Sequence, residues 1–217
     1  MSPRLKICCI QDAEEAALAV AAGAHALGFV GRGLSGPEVI ADDAVIAAIV
    51  ATVPPGVDAW LLARDAQPGV LVDRVRRTRV TTVQICDAVP RSVYAELRAG
   101  APWCRIVQVV HVAGPEAIDD ALEVEDAVDA ILLDSGTPTG PTPVFGGSGQ
   151  THDWAISERV VASVSKPVWL AGGLRAGNVA QAYATVRPFG LDLCSGVRVG
   201  GRLDVGRLRA YVGAVRG

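Results

Sequence analysis

The stretch Arg4-Leu5-Lys6-Ile7-Cys8-Cys9-Ile10 reads as a short β-strand carrying a lysine and a thiol, and Asp12 follows it at once as a helix cap, with Glu14 and Glu15 in the first turn. Such a strand delivers reactive side chains to a βα-loop. Period-two alternation sends Lys6 and Cys8 to one face and Leu5, Ile7 and Cys9 to the other. If the strand lines a barrel, Lys6 and Cys8 point inward, with Cys8 at the carboxyl end, where barrels of this kind keep their active sites.

Outward from this stretch the same unit recurs. Strand signals follow at 26–30, 59–63, 82–86, 105–112, 130–134, 167–171 and 191–194, alternating with helix signals at 13–22, 42–51, 70–79, 90–99, 115–126, 154–163, 175–186 and 204–215. Eight strand signals alternating with eight helix signals are the pattern of a single (β/α)8 TIM barrel, with a doubly wound open sheet as the alternative. The one long irregular segment, Ser135 to Asp153, is rich in Gly, Pro, Ser and Thr and reads as a flap.

The chain has 217 residues, half of them hydrophobic and 20% charged, which suits one large core and a single domain over 1–217. The net charge of −3 comes without a basic run, which argues against a nucleic-acid surface and for a small-molecule ligand. No basic and apolar leader opens the chain, and its longest apolar stretch, Ala16 to Val30, is broken by Gly23 and His25, so a soluble, cytoplasmic protein without a membrane partner is expected. Cys8, Cys9, Cys86, Cys104 and Cys194 follow no disulfide-framework spacing, and reduced thiols are expected.

Gly172-Gly173 and Ser195-Gly196 sit where strands seven and eight end, where backbone N–H groups often bind phosphate; singly, either pair could equally be a tight turn. Cys8 and Asp134 end strands one and six, across the mouth from one another, and offer a base and an acid to a small substrate; the plainer alternatives are a buried inert thiol and a loop cap. His111, at the end of strand five, and His152, in the flap, fall on the same face. Cys8, Cys86 and His111 could form a three-ligand metal site but lack a recognisable spacing, and adjacent Cys8 and Cys9 hint at redox sensing although their side chains should leave opposite faces.

Lys6-Ile7-Cys8, the run Gly23 to Val30, Val83-Gln84, Leu132-Leu133-Asp134, the run Gly146 to Trp154, Leu170 to Leu174 with Asn178-Val179, and Asp192 to Val197 together resemble phosphoribosylanthranilate isomerase, in order from end to end. The resemblance implies a (β/α)8 barrel that performs an Amadori rearrangement in tryptophan biosynthesis without a cofactor. It implies Asp134 as the general acid that opens the ribose ring and Cys8 as the general base at C2′, its thiolate favoured by Lys6 and the following helix N-terminus. It also implies phosphate at Gly172, Gly173, Ser195 and Gly196. Lys6, Arg32, Gln84, Cys86, His111, Gly147 and His152 are the candidates for lining the substrate pocket. The partner implied is a small phosphorylated sugar, the protein being a monomer or homodimer.

This chain departs from the family where Lys-Ile-Cys-Gly, Val-Gln-Leu-His-Gly and a flap lysine are usual, having Cys9, Cys86-Asp87 and Gln150 instead. Where the family carries an arginine for the anthranilate carboxylate it reads Ser35-Gly36-Pro37-Glu38, with Arg32 nearby but out of register. A paralogous isomerase acting on another phosphorylated sugar or aldosylamine, and a non-catalytic phosphate-ligand or metal-binding barrel, are the alternatives. Losing the charge-assisted bond of that arginine leads to the expectation of poor use of phosphoribosylanthranilate, improved by Pro37→Arg.

Overall fold

A computed structural model describes residues 2–34, 39–40, 42–64, 67–136 and 151–216. Its strands are β1 (Arg4–Ile7), β2 (Ala26–Val30), β3 (Asp58–Ala63), β4 (Thr82–Ile85), β5 (Arg105–His111), β6 (Ala130–Asp134), β7 (Val168–Leu170) and β8 (Gly190–Leu193). Each pairs in parallel with the next, and β8 returns to β1 with Lys6 opposite Asp192. That last pairing makes the sheet a closed barrel and excludes the open doubly wound alternative.

The helices are α1 (Ala13–Ala21), α2 (Asp43–Val50), α3 (Pro68–Thr78), α4 (Arg91–Gly100), α5 (Ala117–Val124), α6 (Trp154–Ser163), α7 (Val179–Val186) and α8 (Val205–Arg216). Short polar side chains start several of them: Asp12 accepts from the Glu15 amide, Asp42 from Ala44 and Asp153 from Ala155. Gly23, at φ +92°, closes α1 in a left-handed conformation that costs glycine nothing. Among the described residues no helix is long and apolar enough to cross a membrane.

Alternation along the strands separates two apolar layers. Leu5, Ile7, Leu27, Phe29, Leu61, Val83, Ile106, Ile131, Leu170 and Leu191 face the helices, while Ala26, Trp60, Val107, Val109, Ala130, Leu132, Trp169 and Ala171 fill the barrel. Each fully buried large side chain of this kind contributes roughly 1.5–3 kcal/mol, so the face assignment holds every strand in register.

Two expectations from sequence are corrected. The first strand stops at Ile7 because Cys9 turns to φ 67°, a left-handed conformation that ends alternation, and Cys8 and Cys9 therefore join one apolar cluster with Val30 and Leu62. Beyond β8 lie a 3₁₀ turn (Ser195–Val197) and a small antiparallel pair, β9 (Arg198–Val199) and β10 (Arg202–Leu203), which no periodicity announced. Of the expected flap, 137–150 lies outside the described residues, and with it Gly147 and Gln150; so do 35–38, including Pro37.

Candidate active site

The closing β1–β8 pair builds the centre of the mouth. Lys6, fully buried, donates from Nζ to Asp192 Oδ2 at 2.6 Å and to Gln84 Oε1 at 2.9 Å, with its Nζ 5.0 Å from the centre of the Trp60 ring. Burial alone would lower the lysine pKa, but Asp192 and Cys8 outweigh it and the net shift is upward, so Lys6 stays charged. Gly28 makes this possible: a Cβ there would stand 2.8 Å from Cys8 Sγ and 3.1 Å from Lys6 Cε. Asp192 completes the pair although sequence reading gave it no site role; its signal was a carboxylate between two leucines in an inward-pointing position.

Cys8 is buried and its pKa is pushed up to about 11 by that burial, with Lys6 pulling less strongly the other way. The expectation that Lys6 and the α1 N-terminus favour the thiolate is therefore corrected: Lys6 is committed to Asp192, Asp12 caps α1, and Cys8 rests as a thiol. Asp134 ends β6 with its pKa raised to about 7, first by burial and then by Asp192, against the Ser135 amide that donates to its Oδ1 at 2.8 Å and against Lys6. A carboxyl poised near neutrality holds or releases a proton readily.

Around these groups the remaining candidates divide. Gln84 joins the Lys6 network, and Cys86, whose pKa is pushed up to about 12 by burial, lies beside Gln84. His111 is bound through Nε2 to the Cys86 carbonyl at 3.0 Å. Among the described residues no three His, Cys, Asp or Glu side chains come together as metal ligands, so Cys8, Cys86 and His111 are neighbours rather than a triad. His152 pairs its Nε2 with Ser157 Oγ on α6 at 2.7 Å and is held neutral by burial, its pKa about 4, which makes it a brace for the start of α6. Arg32 is exposed after β2, its carbonyl accepting from Arg74.

Three features escaped sequence reading because each joins side chains carried by different βα units, which no local pattern links. Cys9 and Cys194 form a disulfide across the barrel seam, with Cα atoms 6.0 Å apart, which overturns the expectation of reduced thiols for this pair and leaves Cys8 without a bond to Cys9. The physical reason is closure, which brings the ends of β1 and β8 side by side. Beneath them Arg198 pairs with Glu15 at 2.8 Å, both buried, and donates to the Cys8 and Cys9 carbonyls, while Glu15 accepts from Gln11 and Leu203. Finally, Arg64 and Asp87 form a half-buried ion pair at 2.7 Å beyond the ends of β3 and β4.

The two glycine loops meet. Gly172 and Gly173 adopt φ +83° and +60°, and a Cβ on Gly172 would come within 2.8 Å of the Ser135 amide nitrogen. At Gly196 a Cβ would stand 2.1 Å from the Leu174 carbonyl oxygen, so the loop after β8 presses directly on the loop after β7. Asn178 ties the latter down, donating to the Gly173 carbonyl at 3.0 Å and accepting from Arg175 at 2.8 Å. These are more than two independent tight turns: they form a continuous stretch of backbone beside Asp134.

Comparison with known proteins agrees with this geometry. A chain from Methanocella arvoryzae named N-(5'-phosphoribosyl)anthranilate isomerase is 36% identical over 215 residues, covering 98% of both chains. One of the same name from Halobacterium salinarum is 37% identical over 211 residues, covering 96% of this chain and 94% of its own. Among solved structures, phosphoribosyl anthranilate isomerase from Thermotoga maritima superposes with a TM-score of 0.84 at 28% identity, covering 99% of this chain and 98% of the other. The Thermus thermophilus structure gives 0.82 at 29%, covering 98% of each. The family profile described as N-(5'phosphoribosyl)anthranilate (PRA) isomerase matches residues 5–214, and the chain belongs to that family.

Proposed function

We propose that this chain isomerises N-(5'-phosphoribosyl)anthranilate by an Amadori rearrangement in tryptophan biosynthesis, with Asp134 as general acid and Cys8 as general base. The observation that carries the assignment of roles is the contrast between the two groups. Asp134, near pKa 7, holds a proton it can give to the ribose ring oxygen, opening the sugar to an iminium ion. Cys8 rests as a thiol, and the cationic iminium arriving beside it favours the thiolate in the way any opposite charge within about 4–6 Å does. Proton removal from C2′ then gives the enolamine, which tautomerises to the ketone.

Phosphate is assigned to the backbone N–H groups of Gly172, Gly173, Ser195 and Gly196, supported by the left-handed turns and the tight approach of the two loops. The Lys6–Asp192 pair, braced by Gln84, sets the field in which both proton transfers occur. The relatives favour the anthranilate compound over a different substituent on the sugar nitrogen. Steady-state kinetics of the purified protein test this directly: efficient turnover of phosphoribosylanthranilate is expected. No detectable turnover of that substrate by folded protein would return the altered-substrate reading to first place.

A further inference from the structure

The substrate proposed above carries an anion at each end, a phosphate on C5′ and a carboxylate on the aromatic ring, with the reacting sugar carbons between them. The closed order of the strands fixes how such a molecule lies. The phosphate loops follow β7 and β8, and the acid and base flank them, Asp134 at the end of β6 and Cys8 just after β1. In an eight-stranded ring the arc left for the aromatic acid runs from β2 to β5, and its middle, directly across from β7 and β8, is β3 and β4.

A cation is held in place there. Along β3, Trp60 fills the barrel and Leu62 packs beside Cys8, so alternation carries Arg64, one residue past the strand, to the same inner side. Its Nε donates to Asp87 Oδ2 at 2.7 Å, and the two side chains are 25% and 28% exposed, within reach of a ligand in the mouth. Asp87 is fixed in turn: Gln108, buried on β5, donates to the Asp87 carbonyl at 3.0 Å and accepts from the Tyr94 hydroxyl at 2.8 Å. A guanidinium oriented through Nε presents a planar fork of N–H donors, the shape that matches a carboxylate. Other cations of this face serve elsewhere. Lys6 is buried on Asp192 and Gln84, and Arg198 is buried on Glu15 beneath the Cys8 and Cys9 carbonyls. Arg32 follows β2, at the edge of the arc, and is exposed.

We propose that Arg64 is a specificity-determining residue that binds the carboxylate on the aromatic ring of the substrate, with Asp87 as the residue that positions its guanidinium. The inference rests on the reading of the substrate given above. The aromatic carboxylate takes no part in the bond changes, so holding it favours substrate and transition state alike and acts on KM rather than kcat. Because Asp87 already answers part of the guanidinium charge, a second carboxylate gains less than it would at a bare cation. About tenfold in affinity is expected, the lower end of what a charge-assisted hydrogen bond contributes.

Two unreactive probes isolate the contact: 1-(2-carboxyphenylamino)-1-deoxypentitol 5-phosphate and the phenylamino compound that lacks only the carboxylate. Calorimetry on the full chain should show the wild type binding the carboxylated probe about tenfold more tightly than the other. Arg64→Gln should bind both probes alike, with the wild-type affinity for the phenylamino compound, and should raise KM for phosphoribosylanthranilate about tenfold while kcat stays within about threefold. The Arg64–Asp87 pair is partly exposed, so the variant should keep the wild-type melting profile. An Arg64→Gln protein that still prefers the carboxylated probe overturns the proposal while leaving the substrate reading intact, and loss of the preference in Arg32→Gln instead would assign the contact to that arginine. Equal weakening of both probes in Arg64→Gln also overturns it, since that would mark Arg64 as a support for the loop. If the wild type binds the phenylamino probe but shows no preference for the carboxylate, the inference and the anthranilate reading fail together.

Discussion

The two ends of the barrel are built on opposite terms. At the mouth, Lys6, Asp192 and Cys8 are ionisable groups held out of water, Asp134 stands partly exposed beside them, and Asp192 Oδ1 is unpartnered among the described residues. At the other end the charges sit on the surface in pairs such as Arg98–Asp129 and Arg105–Asp58, and the interior is aromatic and aliphatic. Burying charge is expensive and burying apolar surface is favourable. The mouth is therefore where stability has been given up for chemistry, and the far end is where it is recovered. Substitutions should separate accordingly: those at the mouth cost activity, whatever they do to stability, and those at the far end cost stability alone.

The largest effect belongs to the proton-transfer groups. Cys8→Ala and Asp134→Asn should each lose roughly 10²–10⁴-fold in kcat while retaining the fold, checked by steady-state kinetics beside circular dichroism. A near-wild-type rate in either variant removes that residue from the mechanism.

The next pair of variants sets the two ends against each other. Lys6→Met leaves Asp192 buried without its cation and should cost about 3–5 kcal/mol of stability together with most activity. Trp169→Ala, at the other end, empties a comparable volume for about 3–5 kcal/mol and should leave kcat within a small factor. Denaturant melts read the first quantity and kinetics the second. If Trp169→Ala abolished turnover in folded protein, the division between the ends would be wrong.

Much of this contrast was legible before any coordinates. Period-two strands and capped, glycine-terminated helices are local patterns, so the order of elements could be read, and strand ends then place Cys8, Asp134 and the glycine loops on one face. What stayed hidden depends on contacts that have no local trace. Lys6 meets Asp192, Glu15 meets Arg198 and Cys9 meets Cys194 only because β8 closes onto β1, and each pair is separated by more than three-quarters of the chain. The protonation of Cys8 was misread for a related reason. A nearby lysine argues for a thiolate only if desolvation is weaker than the attraction, and burial at this seam reverses that order.

The seam disulfide offers a smaller test. It closes 185 residues of chain, and its reduction should lower stability by about 2–4 kcal/mol. Cys9 also occupies a left-handed conformation at φ 67°, where glycine is favoured by roughly 1 kcal/mol. Cys9→Gly should then be less stable than the oxidised wild type but more stable than the reduced one. Thermal melts with and without a dithiol reductant give all three values, and a Cys9→Gly variant less stable than reduced wild type would show that the turn is unstrained.

The smallest effect is also the one that bears most directly on the bargain struck at the mouth. The Asp134 carboxyl has a pKa of about 7 in the folded chain and about 4 in an unfolded one, so between those values the folded state holds a proton that the unfolded state has released. Stability therefore declines as pH rises through that window, and the full cost is present above about pH 7. For a carboxyl sealed from water this would approach 4 kcal/mol, but one edge of Asp134 is open to the mouth, and screening there reduces it to about 2 kcal/mol. Asn at this position keeps an oxygen for the Ser135 amide and carries no charge. Asp134→Asn should accordingly be more stable than wild type by about 2 kcal/mol above pH 7, with the difference vanishing toward pH 4. Melting curves of the two proteins across that range decide it. A difference that is constant with pH would mean that Asp134 is not a strained acid, whereas the expected convergence toward pH 4 would show one substitution removing the activity and returning the stability given up for it.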